Sequence, residues 1–355
     1  MHEGGISDGP DDSGGRPISR RTAIGRGMAT AAAGAVAAAM PATVARAAPA
    51  AGLSRRRIVR IAHLTDVHVQ PERGACDGFA AALRHVQSLA DPPDVILTGG
   101  DAIMDALGAD RARAAAQWAE WDAVIRQEVG RPVRHCIGNH DVWGWYPASG
   151  TTGEEPGWGK AWALDALGMD ARYAIEPMDG WWLLTLDSVQ PAAGGYDCFL
   201  DDEQYDWLAR TLRDLDAGVA VGGRAVRDPP APAGPEPVVV LLHVPILTVT
   251  GLIYDDRRVD GGHHRVPTNW VHRDAKRLKD LFLRHPRVRC VLSGHMHLVD
   301  HCTYAGVHHV CSGAVCGGWW GGDSQECDEG YGLVDLFDDG SADVRYVGYG
   351  WTPRP

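Results

Sequence analysis

Lysine is nearly missing from this chain of 355 residues: Lys160, Lys276 and Lys279 are all there is. Positive charge is carried almost entirely by arginine, and it is outnumbered. Lys and Arg total 34 against 46 Asp and Glu, for a formal net charge of −12. Such an acidic chain has no electrostatic footprint for nucleic acid. No Cys-x-x-Cys spacing occurs among Cys76, Cys136, Cys198, Cys290, Cys302, Cys311, Cys316 and Cys327, which argues against a structural zinc knuckle. Cys136 and Cys290 lie in apolar runs and read as buried thiols; Cys316 and Cys327 flank a loop and could bridge outside the cytoplasm. No repeat of 20–50 residues is visible, so a solenoid is excluded. No Gly-x-Ser-x-Gly elbow lies between Arg57 and Trp351 to offer a competing nucleophile. What the chain does have is histidine, 16 in all, and neutral imidazole is the commonest metal ligand.

The first 47 residues read as a targeting segment. A polar, Gly-rich start leads to SRRTAIGRG at 19–27, an Ala-rich run at 28–40 and ARAAP at 45–49. That is a basic region, a short apolar region and an Ala-x-Ala cleavage site, with cleavage expected after Ala47. Arg20 and Arg21 after Ser19 resemble a twin-arginine export signal. The resemblance implies a Tat translocase as transient partner and a periplasmic or secreted mature protein. The Ala-rich run is weak for an anchor, and no other stretch is long enough to span a bilayer. Residues 48–56 read as a linker, and 57–351 as one domain.

Within that domain apolar, β-rich runs alternate with helical ones. Strands are expected over 57–69, 93–101, 132–141, 181–188, 237–245 and 288–297, and helices over 77–90, 109–130 and 201–215. The stretch 217–237 is a Pro/Gly-rich surface loop. This order predicts an α/β fold.

Polar residues recur where those apolar runs end. The first ends in Asp66 and His68, the second in Asp101, and the third in Asn139, His140 and Asp141. A later run ends in His243, and the last in GHMH with His295 and His297. Residues two apart on an extended chain point the same way. In a largely parallel α/β sheet, ligands bind beyond the carboxyl ends of the strands. Five such ends would bring together four imidazoles, two carboxylates and an amide. That is too many donors for one cation and suits two that share a bridging carboxylate. Mixed N and O ligation favours Zn, Fe, Mn or Co over Mg or Ca.

DVH at 66–68, GD at 100–101, GNHD at 138–141, His243 and GHMH at 294–297 together resemble the calcineurin-like metallophosphoesterases. The resemblance covers about 57 to 351. It implies a four-layer α/β/β/α sandwich of two mixed sheets. It also implies that Asp66, His68 and His297 hold one metal, that Asn139, His243 and His295 hold the other, that Asp101 bridges them, and that His140 faces the substrate. The stretch 312–323 is similar to a C-terminal segment of some bacterial members. Two departures stand out. Many members carry Asp three residues after the bridging Asp; here Met104 stands there and Asp105 follows, so the carboxylate that would orient His140 is in question. Purple acid phosphatases carry Tyr at that place, and Met104 argues against an iron–tyrosinate centre.

The chemistry of such a site is phosphoester hydrolysis. Two cations neutralise an anionic ester and lower the pKa of a water between them, so the attack needs no Ser or Cys, and His140 is the expected proton donor to the leaving oxygen. The scarcity of cations in the motif-adjacent loops (Arg73, Arg257, Arg258 and Arg265) leans toward diesters, of a small molecule or a lipid. The alternatives are a monoesterase, a cyclic-nucleotide phosphodiesterase, or a catalytically silent metal-binding protein. His63 and His135 are expected to be packing residues. The loop 251–270, which holds His263 and His264, is a candidate lining of the substrate pocket. Trp143, Trp145 and Tyr146 are one candidate stacking surface, and Trp319 and Trp320 read as packing or rim residues.

Overall fold

The computed structural model describes residues 55–222, 235–255 and 259–353. The export-signal reading of 1–47, most of the expected linker, most of the 217–237 loop, and Arg257 and Arg258 lie outside them.

The elements, in chain order, are β1 (Arg57–Leu64), α1 (Ala75–Ser88), β2 (Val95–Thr98), α2 (Arg111–Glu128), β3 (Val133–His135), α3 (Ala161–Leu167), β4 (Ala174–Met178), β5 (Trp181–Thr185), β6 (Val189–Ala192), β7 (Gly195–Cys198), α4 (Asp202–Asp216), β8 (Val238–Leu241), α5 (Thr250–Ile253), β9 (Val259–Asp260), β10 (His263–His264), α6 (Ala275–Arg284), β11 (Val288–Ser293), β12 (Val299–Tyr304), β13 (Val307–Ser312), β14 (Gly330–Phe337) and β15 (Ala342–Gly348). Two sheets dominate. One has the order β15-β14-β1-β2-β3, the other β12-β13-β11-β8-β5-β4. Both are mixed. In the first, β1, β2 and β3 run parallel while β14 pairs antiparallel with β1 and with β15. In the second, β5, β8, β11 and β13 run parallel, with antiparallel β4 and β12 at the edges.

Adjacent residues of a strand face opposite sides, and here both sides are buried. That is why these strands read as near-continuous apolar runs rather than alternating ones. Ile61, Leu97, Leu183, Val239 and Leu292 meet between the sheets. Ala62 and Ile96 face the other way, onto Phe79 and Leu83 of α1 and Trp118 and Trp121 of α2. Leu184, Val240 and Val291 face Leu208 and Leu212 of α4 and Leu281 and Phe282 of α6. The expected four layers are present in that order. α2 and α4 start where their sequences cap them: Asp110 accepts from Arg113 N at 2.8 Å, and Asp201 from Gln204 N at 2.9 Å; α1 starts after a left-handed Gly74 with no side-chain cap.

Three expectations need correcting. Arg55 and Arg56 belong to the fold, not to a linker: Arg56 N donates to Asp338 Oδ1 at 2.9 Å, and Arg55 pairs with Asp343. The expected strands stop short of the site residues, β1 at Leu64, β2 at Thr98, β3 at His135, β8 at Leu241 and β11 at Ser293, because the chain turns out of the sheets to deliver them. All eight cysteines are free thiols, so Cys316 and Cys327 form no bridge. No helix among the described residues is long and apolar enough to cross a membrane.

Candidate metal centre

The carboxyl ends of β1, β2, β3, β8 and β11 meet at one point. Asp66, His68, Asp101, Asn139, His243 and His297 there are almost wholly buried, and His295 is partly buried. Reaching inward from a strand end takes an abrupt turn. Asp66, His68, Asp101, His295 and His297 all have positive φ, between 48° and 72°. A non-Gly residue in that region is strained by about 1–3 kcal/mol and persists only where surrounding bonds fix it. They do so here: Asp66 N donates to Gly100 O (3.1 Å), His68 N to Asp101 O (2.9 Å), and Cys316 N to Asp66 O (3.2 Å). Two glycines are dictated by crowding. A Cβ on Gly294 would lie 1.9 Å from Thr65 Oγ1 and 2.1 Å from Asp66 Oδ2. One on Gly138 would lie 2.1 Å from Asp101 Oδ1 and 2.2 Å from Asp101 N.

The donors fall into two groups. In the first, His68 Nε2 is 3.1 Å from His297 Nε2, and His297 Nε2 is 3.4 Å from Asp66 Oδ1. In the second, His243 Nε2 is 3.0 Å from Asn139 Oδ1 and 3.2 Å from His295 Nδ1. Asp101 Oδ2 touches both, 3.6 Å from His68 Nε2 and 3.2 Å from His243 Nε2. The outer nitrogen of every ring is committed to a backbone carbonyl: His243 Nδ1 to Gly99 O (2.7 Å), His297 Nδ1 to Gly317 O (2.7 Å), His295 Nε2 to Asn269 O (2.7 Å) and His68 Nδ1 to Met104 O (3.4 Å). With its outer nitrogen so committed, each ring in its neutral form turns its inner lone pair toward the space a shared cation would take.

Protonation follows the same logic. Burial pushes Asp66 up, but His297 outweighs it and holds Asp66 down to about 2. Asp101 is likewise well below the carboxylate range against its burial, held by His243 and His140. In the second group burial is overcome by Asp101 and His243 rises to about 9, while burial and the nearby His243 charge take His295 down to about 4. In the first group His297 is raised well above its ordinary value against burial, and burial takes His68 down to about 3. Cys316, 3.9 Å from His297 Nδ1, is itself pushed up by burial. It is a neutral thiol, so Asp66 is the group that keeps the proton on His297. Each group thus holds one proton where one cation fits. Donors about 3 Å apart suit neighbouring ligands at about 2.0–2.2 Å from a shared ion.

His140 sits at the mouth, its ring edge-on to His68 at 4.8 Å. Its backbone N donates to Asp101 Oδ1 at 2.8 Å. Burial opposes its charge, but Asp101 and Asp105 outweigh it and raise its pKa. Asp105 Oδ1 lies 3.6 Å from His140 Nδ1, in ion-pair reach though too far for a hydrogen bond. The carboxylate missing at Met104 is thus supplied one residue later. Asp141 accepts from Gly138 N (2.8 Å) and Ala102 N (2.8 Å), tying the GNHD turn to the β2 turn.

The cleft above encloses about 490 Å³, open mouth included, and is walled by Tyr196, Tyr254, Trp270 and Trp319. Trp319 lies 4.5 Å from the His297 ring, so it is a rim residue; Trp320 is buried and donates from Nε1 to His68 O at 3.0 Å. The loop 251–270 does reach the cleft, through Tyr254 and Trp270, whereas His263 and His264 are exposed. Trp143 is buried in the α1/α2 core and stacks on nothing in the cleft. His63 and His135 are the packing residues expected, bonded to Ser312 Oγ (2.8 Å) and Thr98 Oγ1 (2.7 Å). Tyr196 was not anticipated. It arrives on the β6–β7 hairpin, whose sequence carries no motif. Thr65 was also missed; it donates to Asp66 Oδ2 at 2.6 Å.

The sequence profile of the calcineurin-like phosphoesterase family matches residues 59–299, and the chain belongs to that family. It is a metal-dependent phosphoesterase, of a family that works with two metal ions. Among solved structures it is similar to a dimetal phosphatase from Danio rerio, at 13% identity and TM-score 0.51, covering 83% of this chain and all of that one. It is also similar to GAP50, the anchor in the inner membrane complex of Plasmodium (13%, TM-score 0.45, 83% and 85%), and to a 5'-nucleotidase precursor from Thermus thermophilus (14%, TM-score 0.41, 81% and 53%). At these identities the likeness is one of fold. No curated protein sequence matches the chain.

Proposed function

We propose that the chain is an exported phosphodiesterase that uses two transition-metal ions, Mn, Fe or Zn. The observation that carries the diester reading is the cleft's charge. No Lys or Arg is among its described lining residues. A monoester dianion is usually met by additional cations and bidentate guanidinium groups, whereas a diester monoanion leaves less charge to neutralise. The aromatic walls suit an ester group with apolar surface.

Asp66, His68 and His297 would hold one metal, and Asn139, His243 and His295 the other, with Asp101 shared. When bound, two such cations supply charge neutralisation and acidify water between them. The remaining work falls to the chain. The carbonyls behind each imidazole fix its tautomer and aim, a second layer that ordinarily governs metal affinity. His140 projects over the first group with Asp105 behind it, so its protonated form is favoured where a leaving oxygen would need a proton. The buried position of Asp66 and Asp101 keeps bulk water from screening these charges.

Export rests on Arg20, Arg21, the Ala-rich run and the Ala-x-Ala site of the first 47 residues. A Tat translocase carries folded cargo, which suits a site assembled from five distant strand ends.

Four outcomes test this. With Mn or Zn added, kcat/KM for bis-p-nitrophenyl phosphate should exceed that for p-nitrophenyl phosphate; the reverse order would return the enzyme to the monoesterases. Asp101→Ala should leave well under one metal per chain by elemental analysis, because it removes a ligand of both ions; two retained metals would break the assignment. His140→Ala should keep both metals and lose roughly 10²–10⁴-fold in kcat/KM on an alkyl leaving group, but little on nitrophenolate. Equal losses on the two would deny it a proton-donor role. Replacing Arg20 and Arg21 together by Lys should trap the precursor in the cytoplasm, as seen by fractionation; unimpaired export would refute the Tat route.

A further inference from the structure

Beyond the metal ligands, the cleft has two hydrogen-bond donors that stand on opposite sides of its floor. His140 lies over the first group, its ring 4.8 Å from that of His68. Tyr196 lies beside the second, edge-on to His295 with ring centroids 6.3 Å apart. Both line the cleft together with Asp101 and Asn139. Tyr196 is near enough to Asp101 for the carboxylate's charge to act on its hydroxyl. The metal assignment above gives Tyr196 no task.

The side chain is held from behind. A Cβ on Gly195 would lie 2.3 Å from Tyr146 Cε1, so the residue before Tyr196 is packed on that ring without slack. Two residues after Tyr196, Cys198 N donates to Thr268 O at 3.2 Å and Cys198 O accepts from Arg273 N at 3.0 Å. These bonds dock β7 on the segment that carries Asn269. The Asn269 amide hydrogen-bonds the Tyr196 hydroxyl, while Asn269 O accepts from His295 Nε2 at 2.7 Å. One residue thus sets both the phenol and a ligand imidazole. An amide N–H given to the phenol oxygen leaves the phenol's own hydrogen free to donate. Among the described residues no acceptor takes that hydrogen. Burial raises the phenol above its ordinary value, so it keeps its proton.

We propose that Tyr196 is a catalytic residue, whose hydroxyl donates to a non-bridging oxygen of the phosphoester as the transition state forms. The inference rests on the phosphoesterase activity and on the ligand assignment above, and does not depend on the diester preference. An oxygen turned from the floor toward the walls gains negative charge as water adds to phosphorus. No Lys or Arg among the described lining residues meets it, so the answer has to come from fixed neutral donors, which stabilise such charge without reorganising. His140 and Tyr196 then divide the work. His140, the stronger acid, gives its proton to the leaving oxygen. A phenol that keeps its proton shares it with an oxygen that stays on phosphorus. No bond is made or broken at Tyr196.

Tyr196→Phe removes the hydroxyl and keeps the ring. On the metal-loaded enzyme it should lower kcat/KM about ten- to hundredfold, the worth of one hydrogen bond to a charged oxygen, with metal content and circular dichroism retained. The loss should be equal on the p-nitrophenyl and phenyl esters of whichever ester class the enzyme prefers, because the oxygen served does not leave. His140→Ala, by contrast, should lose more on the phenyl ester. Orthovanadate, which takes up the trigonal-bipyramidal geometry of the transition state, should inhibit the variant more weakly by a similar factor. A kcat/KM indistinguishable from wild type would show that the hydroxyl touches no reacting oxygen and overturn the proposal. A loss concentrated on the phenyl ester also overturns it, since Tyr196 would then serve the leaving oxygen. So does a variant that sheds metal, which would reduce Tyr196 to a support for His295 through Asn269. Lost turnover with an unchanged vanadate constant overturns it equally. Preference for monoesters in the wild type would remove the diester reading and leave this one standing.

Discussion

Two buried carboxylates, Asp66 and Asp101, stand at the centre of the site, and their partners are imidazoles, backbone N–H groups and the Thr65 hydroxyl rather than arginine or lysine. Burying a charge costs several kcal/mol even after relaxation and must be answered locally. In this chain the answer is His243 and His297, each raised so that it carries a proton beside a carboxylate. The protons stand where two metals would. Loading the site is thus an exchange of cations within a fixed cage, which couples affinity to pH. The scarcity of lysine has a counterpart here: a flexible ammonium near Asp101 would compete with both.

The cage is held from outside. Strained turns at Asp66, His68, Asp101, His295 and His297 would relax if the loops carrying them were free. Instead those loops bond one another: Gly99 N reaches Leu64 O at 2.7 Å, Gly294 N reaches His243 O at 2.9 Å, and Val315 N reaches Thr65 O at 2.9 Å. The third of these ties the loop after β13 to the turn after β1, and so links one sheet to the other. The site thus works as a joint between the sheets, alongside their apolar packing and bonds such as Trp181 Nε1 to Phe337 O at 3.0 Å and His63 Nδ1 to Ser312 Oγ at 2.8 Å. Strain at a functional site is retained only when its surroundings over-determine it, and the crowding at Gly138 and Gly294 shows how little slack there is.

What could be read from the sequence follows from this layout. Strands buried on both faces announce themselves as apolar runs, and the inward turns place polar residues at their ends, so the α/β class and the seven convergent donors were legible, while the four layers came from the family resemblance. Residues that act from elsewhere were not. Asp105 was visible, but its tie to His140 stayed in question because the spacing after Asp101 differs by one and His140 is 35 positions away. Tyr196 comes from a hairpin that turns at Ala193 and Gly194 and has no chemical signature. Trp143 looked available only because it follows GNHD; its indole turns into the helix core and donates to Ala109 O at 3.0 Å. The free cysteines were undecidable from spacing, which says nothing of where Cys316 points once buried beside His297.

One segment carries both a donor of the cage and a residue of the cleft wall. His243 begins it, clamped by Gly99 and Asn139; Tyr254 ends it, at the cleft wall. Between them Asp300 anchors Val249 and Thr248, so a change at Leu252 or Ile253 meets that anchor before it reaches His243. The metal cage tolerates almost no added atom, whereas the exposed Leu252 and Ile253 tolerate many. The same division shows in the cleft's charge: the carboxylates and imidazoles lie at its floor, while its aromatic walls, Tyr196, Tyr254, Trp270 and Trp319, carry none.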